Sequence, residues 1–185
     1  GTLLLDLLTP EEDQDYRSRF DISLLTQRLC VATRWLARHP LTQSLPVGYF
    51  GASTGAAAAL RAATAPGFAI RAVVSRGGRP DLAGPEDLAR VDCPTLLLVG
   101  SRDEEVLELN RQAAALMHCP HRLSVVPGAT HLFEEPGTLE AVARQAADWF
   151  ETCLPPDTPA LPGSPMSPYG WSRAMTSSSS TWEKS

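Results

Sequence analysis

Short apolar runs separated by helical segments constrain this chain more than any other feature. "TLLLDLL" (2–8), "PVGYFGAS" (46–53), "IRAVVSRGG" (70–78), "CPTLLLVGS" (93–101) and "HRLSVVPGA" (121–129) are too short for core helices. Strands buried on both faces of a sheet read this way. Between the first two, Leu25, Leu29, Ala32 and Leu36 recur at helical spacing up to Pro40, and Asp21 or Ser23 can cap that helix. Residues 54–65 are strong helix formers stopped by Pro66-Gly67, and residues 104–118 and 137–154 also read as helices. Residues 9–21 and 79–92 read as polar connections. Strands alternating with helices predict an α/β domain over residues 1–154, a three-layer α/β/α sandwich around a mostly parallel sheet.

From residue 155 to 185 the chain turns rich in Pro and Ser and loses any apolar period, so a disordered tail is expected there. The remaining composition bounds function by exclusion. At 185 residues and 43% hydrophobic content the chain fits one globular domain. Its net charge is −5, with no basic block to neutralise phosphates, so nucleic acid is not an expected partner. No apolar stretch approaches the roughly 20 residues of a membrane span, and no leader is visible. Cys30, Cys93, Cys119 and Cys153 form no C-x-x-C pair, which predicts free buried thiols and a cytoplasmic setting. No His and Cys cluster has ligand spacing, so neither a metal nor a cofactor is expected.

The chemistry concentrates at "GYFGASTGAAAAL" (48–60). Gly51 and Gly55 stand two residues either side of Ser53, between a strand and a helix. A serine hydroxyl is a poor nucleophile unless a base takes its proton and a tight turn projects the oxygen clear of the backbone. The G-x-S-x-G pattern in strand–turn–helix context supplies that turn, because small residues let strand and helix approach closely. The acid and the base of such a fold come after the serine in that order. Asp103 stands just past a later strand and His131 just past the last, so all three reach one sheet edge. His131 is the expected general base and Asp103 the group that orients it. His39, His118 and His121 lie beside prolines and read as surface residues. Glu104 and Glu105 compete with Asp103 but suit the first turn of the next helix. Arg76 and Arg79 come after the strand between nucleophile and acid; either could receive a substrate carboxylate bidentately, or pair with Asp81 to hold the loop.

"LLLDLLTPEE", "GYFGASTGAAAAL", "SRGGRPDLAG", "LLLVGSRD" and "VPGATHLFEEPG", in this order, resemble the dienelactone hydrolase-like group of the α/β-hydrolases, including copies fused to phosphoribosyltransferases, over about residues 2–153. The resemblance implies a hydrolase carrying Ser53, Asp103 and His131, with the Thr54 backbone N–H in the oxyanion hole. It implies action on a small ester or related acyl compound through an acyl-enzyme. The dienelactone hydrolases that name the group carry cysteine at the elbow where this chain has Ser53, so the resemblance does not extend to their lactone substrates. It also implies further strands and a His-Gly-type loop before residue 1, and hence an α/β-hydrolase fold lacking its first strands. A preceding segment or a fused phosphoribosyltransferase domain is then an expected partner. A second reading, a catalytically impaired fragment that binds a ligand or partner, stands beside the first.

Overall fold

The structure is a computed structural model that describes residues 1–154; the expected Pro- and Ser-rich tail lies outside the described residues. Four strands, β1 (Val47–Ala52), β2 (Ile70–Arg76), β3 (Thr95–Gly100) and β4 (His121–Val126), form one sheet in the order β1-β2-β3-β4. All three pairings are parallel, as the βα alternation requires. Every residue of β3 is buried, which is why its sequence, "TLLLVG", is almost wholly apolar.

Five helices cover the sheet: α1 (Ile22–Leu36), α2 (Thr54–Ala63), α3 (Pro85–Arg90), α4 (Glu104–Leu116) and α5 (Thr138–Cys153). A sequential strand order with crossovers of one hand puts every connecting helix on the same face. Accordingly Val73 and Leu97 pack with residues of α1, α2, α3 and α4 in one core cluster. Val74, Leu96, Leu98 and Val126 point the other way, against Val142 and Ala146 of α5. The result is a three-layer α/β/α sandwich. Asp21 caps α1, accepting a bond from the Leu24 N–H at 2.9 Å.

Two expectations need correction. Residues 2–8 form no strand: Leu3, Leu4 and Leu5 are half to almost fully exposed, and no part of the run joins the sheet. A strand exists only as half of a ladder, and apolar character alone does not supply the other half. The segment is instead tethered to α1 by Arg28, which donates to Leu7 O (2.8 Å) and to both carboxylate oxygens of Glu12 (2.5 and 2.6 Å). Those bonds hold the Glu12 pKa down at about 2. The second correction is α3, inside what reads as a polar connection; Gly84 followed by Pro85 at the first helical position begins it.

All four cysteines are buried and free. Burial pushes Cys93 up to about 12, and Cys119 and Cys153 to about 11. None is therefore a thiolate near neutral pH. Among the described residues no helix is long and apolar enough to cross a membrane.

Candidate active site

β1 ends at Ala52 and α2 begins at Thr54, so Ser53 alone makes the turn. It does so at φ 50° and ψ −123°, a conformation that costs an L-residue on the order of 1–3 kcal/mol and persists only where the surroundings impose it. Both backbone groups of Ser53 are held by the last residue of β2 and the segment that follows it. Its N–H donates to Arg76 O (3.3 Å), and its carbonyl accepts from Arg79 N–H (3.1 Å) as well as from Ala56 N–H (3.1 Å). Gly51 is the residue that permits the turn. A Cβ there would stand 2.5 Å from Gly55 O and 2.6 Å from Ala56 Cα. Gly55 is different, since a Cβ on it meets nothing within 4 Å. The close approach expected at both glycines is thus made at Gly51 against the backbone of α2.

Ser53 and Asp103 share a peculiarity. Each occupies the N-cap position of a helix, α2 and α4, and each is a residue type that normally caps. Neither side chain does so. The Asp103 carboxylate turns away from its helix and lies 2.6 Å from His131 Nδ1. Asp103 is mostly covered, with 14% side-chain exposure, while His131 keeps 40%. With Nδ1 donating to the carboxylate, the hydrogen sits on Nδ1 and leaves Nε2 as the acceptor.

The loop carrying His131 is fastened to the turn carrying Asp103. Ser101 N–H donates to Val126 O (3.0 Å), Arg102 N–H to Ala129 O (2.9 Å), and Gly128 N–H to Ser101 Oγ (2.8 Å). Gly100 at the end of β3 lies so close beneath this loop that a Cβ would overlap the carbonyls of Ala129 and Thr130. Glu135 closes the loop by accepting from Thr130 N–H (3.1 Å), and that bond is the main reason its pKa is lowered. Phe133, buried in the core beneath, takes φ 57°. Ser53 and Phe133 are the non-glycine residues with positive φ among those described, and they lie on the serine and histidine sides of one sheet edge.

The structure therefore brings Asp103 and His131 into contact and places Ser53 two strands away at the same carboxyl edge. Gly77, just past β2 and between them, has the His131 ring and carbonyl as neighbours. Ser53 Oγ makes no hydrogen bond among the described residues. Thr54 is the first residue of α2, where a backbone N–H has no acceptor within the helix. An open groove of about 1820 Å³ is lined by β1 and by Ser53, Thr54 and Gly55, with the segment 1–10 and parts of α1 and α5 as its other walls.

The two arginines part company. Arg79 grips Asp81 with both arms of its guanidinium, at 2.9 and 2.7 Å. Arg76 is the last residue of β2, not a residue after that strand as expected, because its backbone still pairs with β1 and β3; its guanidinium carbon lies 5.7 Å from the centre of the Phe133 ring. Its Nε is covered and has no partner among the described residues. Glu104 and Glu105 are exposed in the first turn of α4. His121 begins β4, at the opposite end of that strand from the site, bonded to Cys119 O (2.9 Å). Among the described residues no group of three or more His, Cys, Asp or Glu side chains could hold a metal ion. Sequence reasoning missed Ser101 and Glu135, and nothing in a single sequence separates Glu135 from Glu134 beside it.

The Glu135 bond has a measurable effect. Glu135→Ala should loosen residues 130–133, raise hydrogen exchange at the Thr130 amide, and slow any reaction that uses His131 by about tenfold. In the unmutated chain the same loosening should accompany acidification. A carboxylate with a lowered folded pKa holds its partner from its ordinary value of 4.5 upward, and releases it only as pH falls through the lowered value.

This sheet, with a strained serine after β1 and an acid–histidine pair after β3 and β4, has the architecture of an α/β-hydrolase. No family model matches the chain. A solved dienelactone hydrolase from Anabaena variabilis is 54% identical, covers 80% of this chain and 70% of its own, and superposes with a TM-score of 0.75. The chain belongs to the dienelactone hydrolase-like group of the α/β-hydrolases. The Est1E structure from Butyrivibrio proteoclasticus shares the fold at 13% identity and a TM-score of 0.60. Two Mycobacterium tuberculosis proteins that carry a phosphoribosyl transferase name, from strains CDC 1551 and H37Rv, are 64% identical over 150 residues. That match takes in 81% of this chain; the chain spans about a third (34%) of the length of these curated relatives.

Proposed function

We propose that this domain is a serine hydrolase acting on a small ester or related acyl compound through an acyl-enzyme. The observation that carries the reading is the 2.6 Å bond from His131 to an Asp103 carboxylate withheld from its own helix, at the edge where Ser53 is held in a strained turn. In this reading Ser53 Oγ attacks the acyl carbonyl while His131 Nε2 takes its proton. Asp103 stabilises the imidazolium, and the Thr54 N–H receives the oxyanion. His131 then gives the proton to the leaving alcohol, and water repeats the sequence to release the acid. In a protein built like the longer relatives, the domain would be one part of a chain that carries a phosphoribosyl transferase name.

The direct test is exposure of the folded protein to a fluorophosphonate, followed by peptide mass spectrometry. Adduct formation at Ser53, absent in Ser53→Ala, is expected. Adducts spread over several serines, or none on a folded protein of full length, would sink the reading.

Arg76 is the better of the two arginines for an anionic substrate, because the Arg79 fork is occupied by Asp81. Arg76→Ala should lower the preference for anionic over neutral esters by about tenfold, the scale of one lost charged hydrogen bond. Arg79→Ala should change loop stability and leave the preference alone. Equal effects on preference would remove Arg76 from the binding site.

A further inference from the structure

Two turns into α4, the helix that Asp103 begins, Asn110 is completely buried. Its Nδ2 donates to Gly78 O (2.9 Å) and to Val106 O (2.8 Å). Its Oδ1 is also buried and has no partner among the described residues. A buried oxygen without a partner is a cost to the fold that an apolar residue of the same shape would avoid.

The Nδ2 bond holds the segment 76–79. That segment touches the proposed site from two sides. Arg76 O and Arg79 N–H grip the two backbone groups of Ser53, and Gly77 lies against the ring and carbonyl of His131. Gly78 itself packs against Ala56 in the first turns of α2, where a Cβ would overlap both Ala56 and Ser75. Gly77 N–H anchors the segment to β3 through Leu98 O (2.7 Å). The bond from Asn110 to the Gly78 carbonyl ties the same segment to α4, and without that side chain the tie is gone.

We infer that Asn110 is a positioning residue: from the helix of the acid it fixes the segment that sets the strained backbone of Ser53 and spaces it from His131. The inference rests on the proposed role of Ser53. Asn110 touches no substrate in this scheme and acts through Gly78, so its removal alters the speed of acylation rather than the capture of the acyl donor. An error of about 1 Å in such an arrangement is enough to cost up to about 10²-fold.

The test uses the full-length protein, with a fluorophosphonate as the probe. Asn110→Leu removes the donor together with the unpartnered oxygen, and Asn110→Asp retains the shape should the leucine variant not fold. Expected is a fall of about tenfold to 10²-fold in the maximal rate of Ser53 modification, with the half-saturating probe concentration unchanged within about twofold. Hydrogen exchange at the Arg79 amide, which donates to Ser53 O, should rise in the same variants while amides of β3 keep their protection. A merely structural role would give parallel losses of protection in Arg79 and β3, and a modification rate that tracks the folded fraction. Unchanged rate and unchanged Arg79 exchange would overturn the inference while leaving Ser53 reactive. An unmodified parent protein would instead overturn the reading of Ser53, and this role for Asn110 with it.

Discussion

If the proposed function holds, His131→Ala is expected to lower ester turnover, and the rate of fluorophosphonate modification at Ser53, by about 10⁴-fold or more. Asp103→Asn is expected to lose about the same factor, for a reason specific to this geometry. An amide at position 103 can turn its NH₂ toward Nδ1 at the 2.6 Å contact, which forces the imidazole hydrogen onto Nε2, where a base is needed. The double variant separates this account from two independent contributions. If the residues act as a unit, the pair together costs little more than either alone. A loss equal to the product of the single losses would show that Asp103 and His131 do not work through one another.

The second large effect falls on the fold and divides the two glycines of the elbow. Gly51→Ala forces a methyl onto helix backbone, at 2.5 Å from Gly55 O and 2.7 Å from Ala56 N, and neither group is a side chain able to swing aside. A loss of about 1–3 kcal/mol is expected in chemical denaturation, with Ser53 displaced in whatever folds. Gly55→Ala meets no atom within 4 Å and sits in the first turn of a helix. It should stabilise by about 0.4–1 kcal/mol, because alanine has less freedom to lose. Equal destabilisation by both would mean that the strand and helix pack differently from the geometry described.

The sequence carried most of the sheet because burial on both faces leaves a strong mark. Val47–Ala52, Ile70–Arg76, Thr95–Gly100 and His121–Val126 all lie inside runs legible by eye. Residues 2–8 carry the same mark without being a strand, since pairing is a property of a neighbour and no local pattern encodes it. The positions of Ser53, Asp103 and His131 were readable for a topological reason: each comes a few residues after a strand, and parallel strands deliver their outgoing loops to one edge. The supports were not readable. Ser101 and Glu135 act through single bonds to backbone amides, and Asn110 reads as one more polar residue in an amphipathic helix. None of these contacts can be deduced from spacing, because each depends on how two separate segments meet.

Two helices in this domain start without the side-chain bond that their first residues are well suited to make. Seen as material under selection, Ser53 and Asp103 are stability left unclaimed, since a capping bond is typically worth about 1 kcal/mol. A lineage released from the need for chemistry and selected only for heat resistance would recover that energy first. On the proposed function, relatives that have abandoned hydrolysis should therefore be recognisable by ordinary, relaxed starts to these same two helices, before any change in their cores.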